Sequence, residues 1–449
     1  GISMRWISEQ TASLERLALV EGGRLIEYHE RMRDEIRVGT FVYAKVDRLH
    51  PTLGAAFLIA TDGTPLYLPL NETVEALRRY PDVPTIGQAV QVGQTLLVQV
   101  VKEGVAPKQH KVTQNITYGG RYLVYFPYGR RVRFSRKLDL VVQRQLAEQL
   151  TTTEEEGILY RTEAAKASID ELKQELQSLR IRHKELMQAP RLEQDEALIV
   201  QEAKRLPHVT DALVMTRQEK ERLELLGLSV ERSLRKGRLP EMEAIDGAIE
   251  KAMQRVVWLD GGAYLLIEEV ETMTVIDVNS GKTISVKEQK RTFDQINEAA
   301  AVEVMRQLRL RNISGMIAID FLRGSSKGQT RVTQLLKERA ALETKQIEVY
   351  GFTKMGLCEL TRQRHGKSLQ ERSQESGQWT RLSVYRLIEP KLLEIATYAE
   401  AVVIRAPRHL LQDEFISRQP LEVHVLEGDP AVLFTGSSQD CLDFIKRSE

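Results

Sequence analysis

Residues 273–321 read MTVIDVNSGKTISVKEQKRTFDQINEAAAVEVMRQLRLRNISGMIAIDF. The outer runs, 273–278 and 316–321, are short, apolar and rich in β-branched side chains, while Phe293, Ile296, Ala300, Val304 and Leu308 recur between them at helical spacing. That pattern predicts strand, helix, strand. A right-handed crossover makes the two strands parallel and brings their carboxyl-terminal ends to one edge of the sheet, where open α/β folds place their sites. Each strand carries an acid at that end, Asp277 and Asp320, and strand alternation turns Asn279 to the same face as Asp277. With no Cys or His nearby in sequence, the donors are all oxygen, which suits a hard cation. Mg²⁺ is the expected ion, with Mn²⁺ as the alternative. Lys282, Lys287, Lys290, Arg291, Arg306, Arg309 and Arg311 flank the acids in sequence and are expected to draw a polyanion's phosphate onto the metal. A single strand-end Asp is more often a turn or cap residue, and a basic run is more often a solvated helix face. The functional reading therefore rests on two acids sharing one β-α-β unit.

The runs IDVNSG (276–281), RQLRLRNISGMIAIDF (306–321) and GLCELTRQR (356–364) resemble, in wording and in order, the catalytic core of the ribonuclease E/G family of bacterial endoribonucleases. The resemblance implies that Asp277 and Asp320 hold magnesium, that Asn279 supports the site, and that Arg362 and Arg364 lie near it as contacts to the RNA backbone. It also implies hydrolysis of single-stranded RNA to 5′-phosphate and 3′-hydroxyl ends, with ribosomal RNA precursors among the candidate substrates. Two other readings compete. A non-catalytic RNA-binding or ribosome-associated module would need no acidic pair, and a metal phosphoesterase acting on DNA would need no RNA-binding barrel.

Composition bounds these readings. At 449 residues the chain should hold several domains. With 64 basic and 63 acidic residues, any nucleic-acid surface must be local and compensated elsewhere. The two cysteines, Cys358 and Cys441, are far apart and give neither metal-ligand spacing nor a disulfide framework, which fits a reducing cytoplasm. No apolar run reaches membrane-spanning length, and the start lacks a signal-peptide pattern, so a cytoplasmic location is expected. Gly1, Ile2 and Ser3 ahead of Met4 read as a cloning remnant.

In chain order, LERLALVEGGRLIEYHE (14–30) alternates about a Gly-Gly turn and reads as a hairpin. Residues 36–117 carry closely spaced strand signals separated by Gly and Pro, the mark of a small barrel. By resemblance this is the family's inserted OB-type RNA-binding domain, in which Phe57, Tyr67 and Lys108 match positions that contact RNA; Tyr67 stands where relatives often have Phe. GGRYLVYFPYGRRVRFSRK (119–137) interleaves Arg with aromatics and has no acid, which favours nucleic acid over a membrane surface. Arg161 and Thr162 then end a short strand, and a guanidinium with a hydroxyl beside it suits a terminal phosphate. The resemblance places there a sensor for an RNA 5′-monophosphate. The charged helix that follows is too short for a coiled coil and should pack within the sensor region.

The family commonly continues past the TRQR-like run into a CPxC-type motif, where zinc shared by two chains staples a dimer. Here residues 366–380 read GKSLQERSQESGQWT, so no zinc is expected and any homodimer would form without that link. The fold expected is multidomain α/β. Residues 4–35 and 193–250 are the two parts of an RNase H-like domain, interrupted by the OB-type barrel (36–117) and the 5′ sensor region (118–192). A DNase I-like catalytic domain (251–365), a linker (366–380) and a small α/β C-terminal domain (381–449) complete the chain.

Overall fold

A computed structural model describes residues 3–104, 108–281 and 286–449, with side chains from residue 292 in the last stretch. The chain divides into two compact units, one of Gly1–Met32 with Leu198–Glu449, the other of Arg33–Ala197.

The first unit begins as an antiparallel meander, Met4–Gln10, Leu14–Glu21 and Arg24–Met32. Its tight turn falls at Gly22 and Gly23, whose φ values of 55° and 81° lie in the left-handed region that glycine reaches without a Cβ clash. Asp211–Val214 then adds parallel to Met4–Gln10, and Ser229–Arg232 adds beyond it to complete a five-stranded sheet. The helix Glu241–Ala252 covers this sheet with Met242, Ile245 and Ile249 against Ile7, Ala18, Leu25 and Leu213. Charges are buried in the same layer. The Arg16 guanidinium, with no exposed side-chain surface, meets Glu9 at 2.9 Å and Asp246 at 2.6 Å, and Arg238 meets the same two acids. Removing one member of such a network would strand a buried charge, at about 3–5 kcal/mol.

The unit's second sheet has six strands in the order Val256–Trp258, Tyr264–Glu269, Thr274–Asn279, Gly315–Asp320, Cys358–Arg362 and Ile347–Phe352. Only the central pair, Thr274–Asn279 with Gly315–Asp320, is parallel, because the helix Val286–Leu310 crosses between them. One face packs against that helix and the helix Ser326–Ala341 through Leu265, Ile276, Ile319, Leu360, Val304 and Leu336. On the other face Val275, Met316 and Tyr350 are exposed. The stretch expected as a linker is folded: Ser368 caps the short helix Leu369–Ser373, and Leu369 is fully buried with its N–H on the Arg311 carbonyl. The helix Arg381–Ile395 and a three-stranded sheet, Glu422–Leu426, Ala401–Arg405 and Ala431–Gly436, form the last module.

The second unit contains a closed five-stranded barrel of Phe41–His50, Ala55–Ala60, Pro65–Pro69, His110–Thr113 and Thr95–Lys102. Its alternating strands turn Val42, Ala44, Ala56, Leu58, Leu66, Val98 and Val112 inward. A four-stranded sheet follows, ordered Val132–Phe134, Gly157–Tyr160, Leu123–Phe126 and Tyr118–Gly119. The charged helix, Ile169–Gln188, lies in the same core through Leu172, Leu176, Leu179 and Leu186, which share one helical face.

Candidate active site and RNA-binding surfaces

Asp277 and Asp320 are direct register partners at the carboxyl-terminal ends of the two parallel strands. Neighbouring strands are about 4.8 Å apart, so the two carboxylates face each other across one strand spacing. Asp277 is half-buried and Asp320 exposed. Burial pushes the Asp277 carboxyl above its ordinary range, and the facing Asp320 charge pushes it further, against an opposing hydrogen bond from the Val278 N–H. Among the described residues neither acid is ion-paired. Asn279, one pleat further on, uses its Oδ1 to accept the Gly281 N–H at 2.9 Å and so closes the turn that leaves the strand. That turn requires glycine twice over: φ at Gly281 is 68°, and a Cβ there would stand 2.2 Å from the Gly262 carbonyl oxygen. The loop leaving Asp320 is fixed to the crossover helix. Asn297 both donates to the Leu322 carbonyl and accepts its N–H, while Asp294 accepts the N–H and hydroxyl of Ser325.

These residues fit a divalent cation. Their donors are oxygen only, and the mutual repulsion that raises Asp277 is what a cation between the two acids would relieve. A separate group, Glu27, His29 and Glu202, also has ligand spacing that could hold a metal ion. Burial alone would raise the Glu27 carboxyl, but the His29 hydrogen bond and the guanidinium charges of Arg309 and Arg205 hold it far below the carboxylate range. That group is an ion-pair cluster already complete.

The expected ring of cations around the acidic pair is corrected by the direction of the chain. Lys282 lies outside the described residues, as do the side chains of Lys287, Lys290 and Arg291. Arg306, Arg309 and Arg311 sit at the far end of the crossover helix, which runs back from the acidic edge to the opposite edge of the sheet. There Arg306 donates to the Leu25 carbonyl, Arg309 pairs with Glu27, and Arg311 is buried on Gln307. Arg362 is corrected for the same reason. It pairs in register with Gly315, five residues or about 16 Å from Asp320, and its buried guanidinium binds Glu343, Asn312 and the Ile313 carbonyl. Arg364 follows on that far edge, exposed and paired with Glu371. The cations that do neighbour Asp320 in the described chain are Arg323, in the loop immediately after it, and Lys327, in the first turn of the next helix; both are exposed.

On the barrel, Phe57 and Tyr67 are register partners on adjacent strands and half-buried. Register extends their row to Arg48 on one side and to Lys111 and Lys102 on the other. The Arg48 guanidinium lies 4.3 Å from the Phe57 ring centroid. Sequence reading missed Arg48, Lys102 and Lys111 because only strand pairing brings them into one row; Lys108 is exposed in the loop before Lys111.

Arg161 and Thr162 start the short 3₁₀ turn Thr162–Lys166 after the strand Gly157–Tyr160. The Thr162 hydroxyl is 2.8 Å from that of Ser135, which follows the neighbouring parallel strand. The Arg161 Nε is buried with no hydrogen-bond partner among the described residues, and its Nη2 lies over Gly119, where a Cβ would come within 3.2 Å. Glu163 pairs with Lys166.

Two acids thus lie in register at one sheet edge, and the same chain holds a barrel bearing aromatics and cations in one row. The Ribonuclease E/G family description matches residues 117–365. The chain is 28% identical over 389 residues to ribonuclease G of Haemophilus influenzae, covering 80% of this chain and 79% of that protein. It is 28% identical over 390 residues to ribonuclease G of Escherichia coli K12, covering 80% of each. To ribonuclease E of a Synechocystis species it is 30% identical over 364 residues, covering 75% of this chain and 53% of that protein. It thus spans about four-fifths of these ribonuclease G relatives and about half of that ribonuclease E. The chain belongs to the ribonuclease E/G family, and is an endoribonuclease of that type. Among the described residues no helix is long and apolar enough to cross a membrane.

Proposed function

We propose that the chain hydrolyses single-stranded RNA internally, with Mg²⁺ held by Asp277 and Asp320, in RNA processing or decay. The observation that carries this is the register pairing of the two acids at one sheet edge, with Asp277 raised by burial and by its partner's charge. A magnesium ion there would activate water and neutralise charge on the scissile phosphate. Asp277 and Asp320 supply its oxygen ligands, Asn279 fixes the turn beside them, and Asn297 and Asp294 hold the Asp320 loop in place. Arg323 and Lys327 are placed to meet substrate phosphates.

The remaining parts are read in the same terms. The closed barrel at 36–117 is an OB-type domain that stacks bases on Phe57 and Tyr67 and meets phosphates with Arg48, Lys102, Lys111 and Lys108, a reading supported by their shared row. Residues 118–192 form the 5′ sensor, in which Arg161 and Thr162 grip a terminal monophosphate; the unpartnered Arg161 Nε supports this. Residues 4–35 with 193–250 are RNase H-like, 251–365 DNase I-like, and 381–449 an interaction module. Single-stranded RNA is the substrate class, and ribosomal RNA precursors are the first transcripts to test.

The test compares RNA and DNA oligomers of one sequence, with and without Mg²⁺, for the wild type, Asp277→Asn and Asp320→Asn. Internal cuts in RNA alone, lost in both variants with binding retained, are expected. Binding without cleavage by the wild type would favour a binding module, and equal cutting of DNA a general phosphoesterase.

A further inference from the structure

The end strand of the catalytic sheet carries Trp258, whose exposure of 70% is high for so large an aromatic. It is in register with Tyr264, and Tyr264 with Asn279, so the three lie in one row across the sheet. The next row is Val256, Leu266, Asp277 and Asp320. Residues opposite one another in a sheet share a face, and the core face is taken by Val257, Leu265, Ile276 and Ile319. Trp258 and Tyr264 therefore stand on the same open face as the acidic pair, two strands and one strand from Asn279 respectively. Two strand spacings are about 10 Å, which is within reach of bases flanking a phosphate held at the acids. The rings touch each other, with centroids 5.1 Å apart and planes at 58°.

The local backbone fixes this pair to the site. Gly261 and Gly262, with φ of 84° and 89°, turn the chain tightly between the two strands, closed by the Leu259 N–H on the Ala263 carbonyl. The Gly262 carbonyl is pressed on Gly281, the residue whose N–H Asn279 holds. The aromatic hairpin and the turn at the acidic edge are thus one packed unit. Behind Trp258, on the side of the crossover helix, lies a cleft of about 640 Å³ whose wall includes Lys251, Ala248 and Glu303, the last paired with both Arg24 and Arg306.

We propose that Trp258 and Tyr264 form a base-stacking platform for the RNA strand beside the acidic pair, a subsite that sets which base is accepted next to the cut. The proposal rests on the cleavage reading above, and single-stranded RNA is its committed occupant because the platform shares one register row and one open face with that site. Stacking tolerates every base but favours purines by ring area, so the subsite acts as a graded preference.

The test uses the full chain and a short unstructured RNA in which one abasic residue is stepped through the positions around the cut. In the wild type, one position should lose about tenfold in kcat/KM, chiefly through KM. In Trp258→Ala that position should lose nothing further, while Trp258→Phe should restore the abasic effect. A second readout needs no cleavage. With Asp320→Asn and Trp379→Phe in chelator, oligoadenylate should quench tryptophan fluorescence, and the quench should vanish when Trp258→Ala is added, since Trp6 is fully buried and the 40% exposed Trp379 has been replaced. An abasic profile and a quench both unchanged in Trp258→Ala would overturn the platform. A fall in sedimentation coefficient in Trp258→Ala with the abasic profile intact would likewise overturn it, in favour of a second copy of the chain on this face. A wild type that binds and quenches but does not cut would refute the cleavage reading and leave the platform standing.

Discussion

Replacing Asp320 by Asn tests the acidic pair through three quantities at once. The two carboxylates face each other at about 5 Å, so their repulsion is about 0.8 kcal/mol at the dielectric constant of water and about 3 kcal/mol at an effective value of 20. Asp320 is exposed, so the lower part of that range applies. Because the folded chain raises the Asp277 pKa, it binds that proton more tightly than the unfolded chain does. The stabilising contribution is complete below the unfolded carboxylate range and is lost as pH rises through the raised value, so at neutral pH the pair opposes folding. In chelator, Asp320→Asn should therefore melt at the wild-type temperature or a few degrees above it. Adding Mg²⁺ to a hundred times its Kd should stabilise the wild type by about 2.7 kcal/mol and the variant by far less. Cleavage of an end-labelled RNA should fall by at least about a hundredfold, some 2.7 kcal/mol of barrier. Scanning calorimetry with and without Mg²⁺, beside the cleavage assay, reads all three. A variant that melts several degrees lower in chelator, or that still cuts at more than about a hundredth of the wild-type rate, would refute the reasoning and make the pair a structural feature.

Arg161→Ala should erase a preference of about tenfold to a hundredfold for 5′-monophosphorylated over 5′-hydroxyl RNA without slowing the latter; equal wild-type rates on both ends would remove the sensor assignment. Phe57→Ala should weaken single-stranded RNA binding by about 1–3 kcal/mol in a fluorescence-anisotropy titration, and unchanged affinity would leave Phe57 as packing for Arg48. Elemental analysis should find no stoichiometric zinc, and a chelator should leave the sedimentation coefficient alone; zinc at about one half per chain would mean that residues such as His365 or His409 replace the missing cysteines. For Glu30, burial favours the neutral form, but the Arg386 guanidinium overrides it and holds the carboxyl down to about 2. That stability is present above the unfolded value and lost as pH falls toward 2, so the melting temperature should drop between about pH 5 and pH 2, and Arg386→Met should lower stability at neutral pH while removing that acid-dependent limb.

The β-α-β unit was legible because its signals are local: two β-branched runs, a helical repeat between them, and an acid near each strand end. The small barrel was legible for the same reason, from dense strand signals broken by Gly and Pro. What sequence could not supply was direction and register. Arg306, Arg309 and Arg311 are close to Asp320 along the chain, yet a helix of twenty-five residues carries them to the opposite edge of the sheet. Arg362 lies on an antiparallel strand, so its position on the far edge depends on a pairing that no local pattern encodes. Arg48 and Lys111 join Phe57 and Tyr67 only through strand pairing. Trp258 gave no signal at all, since a Val-Val-Trp run before a Gly-Gly turn reads as an ordinary strand end until its register partner is known. Residues 366–380 look like a linker by composition, and only the burial of Leu369 shows that the segment is anchored.

The net charge of +1 takes on meaning once the internal pairs are set apart. Arg16, Arg238, Arg309, Arg362 and Arg386 are held on Glu9, Asp246, Glu27, Glu343 and Glu30, so these cations and acids cancel inside the fold and say nothing about the surface. What each unit leaves exposed is local. One carries Arg48, Lys102 and Lys111 in a row with two aromatics, and also the exposed Arg130, Arg131, Arg133, Arg136 and Lys137; the other carries Arg323 and Lys327 beside two acids that are not ion-paired among the described residues. Under the proposed function, the share of affinity that comes from these cations falls with salt, while the share from stacking on the aromatics is screened little. That division is how a nearly neutral chain can serve a polyanionic substrate, and under the platform proposal Trp258 contributes to it where Arg306, Arg309 and Arg311, carried to the opposite edge of the sheet, do not.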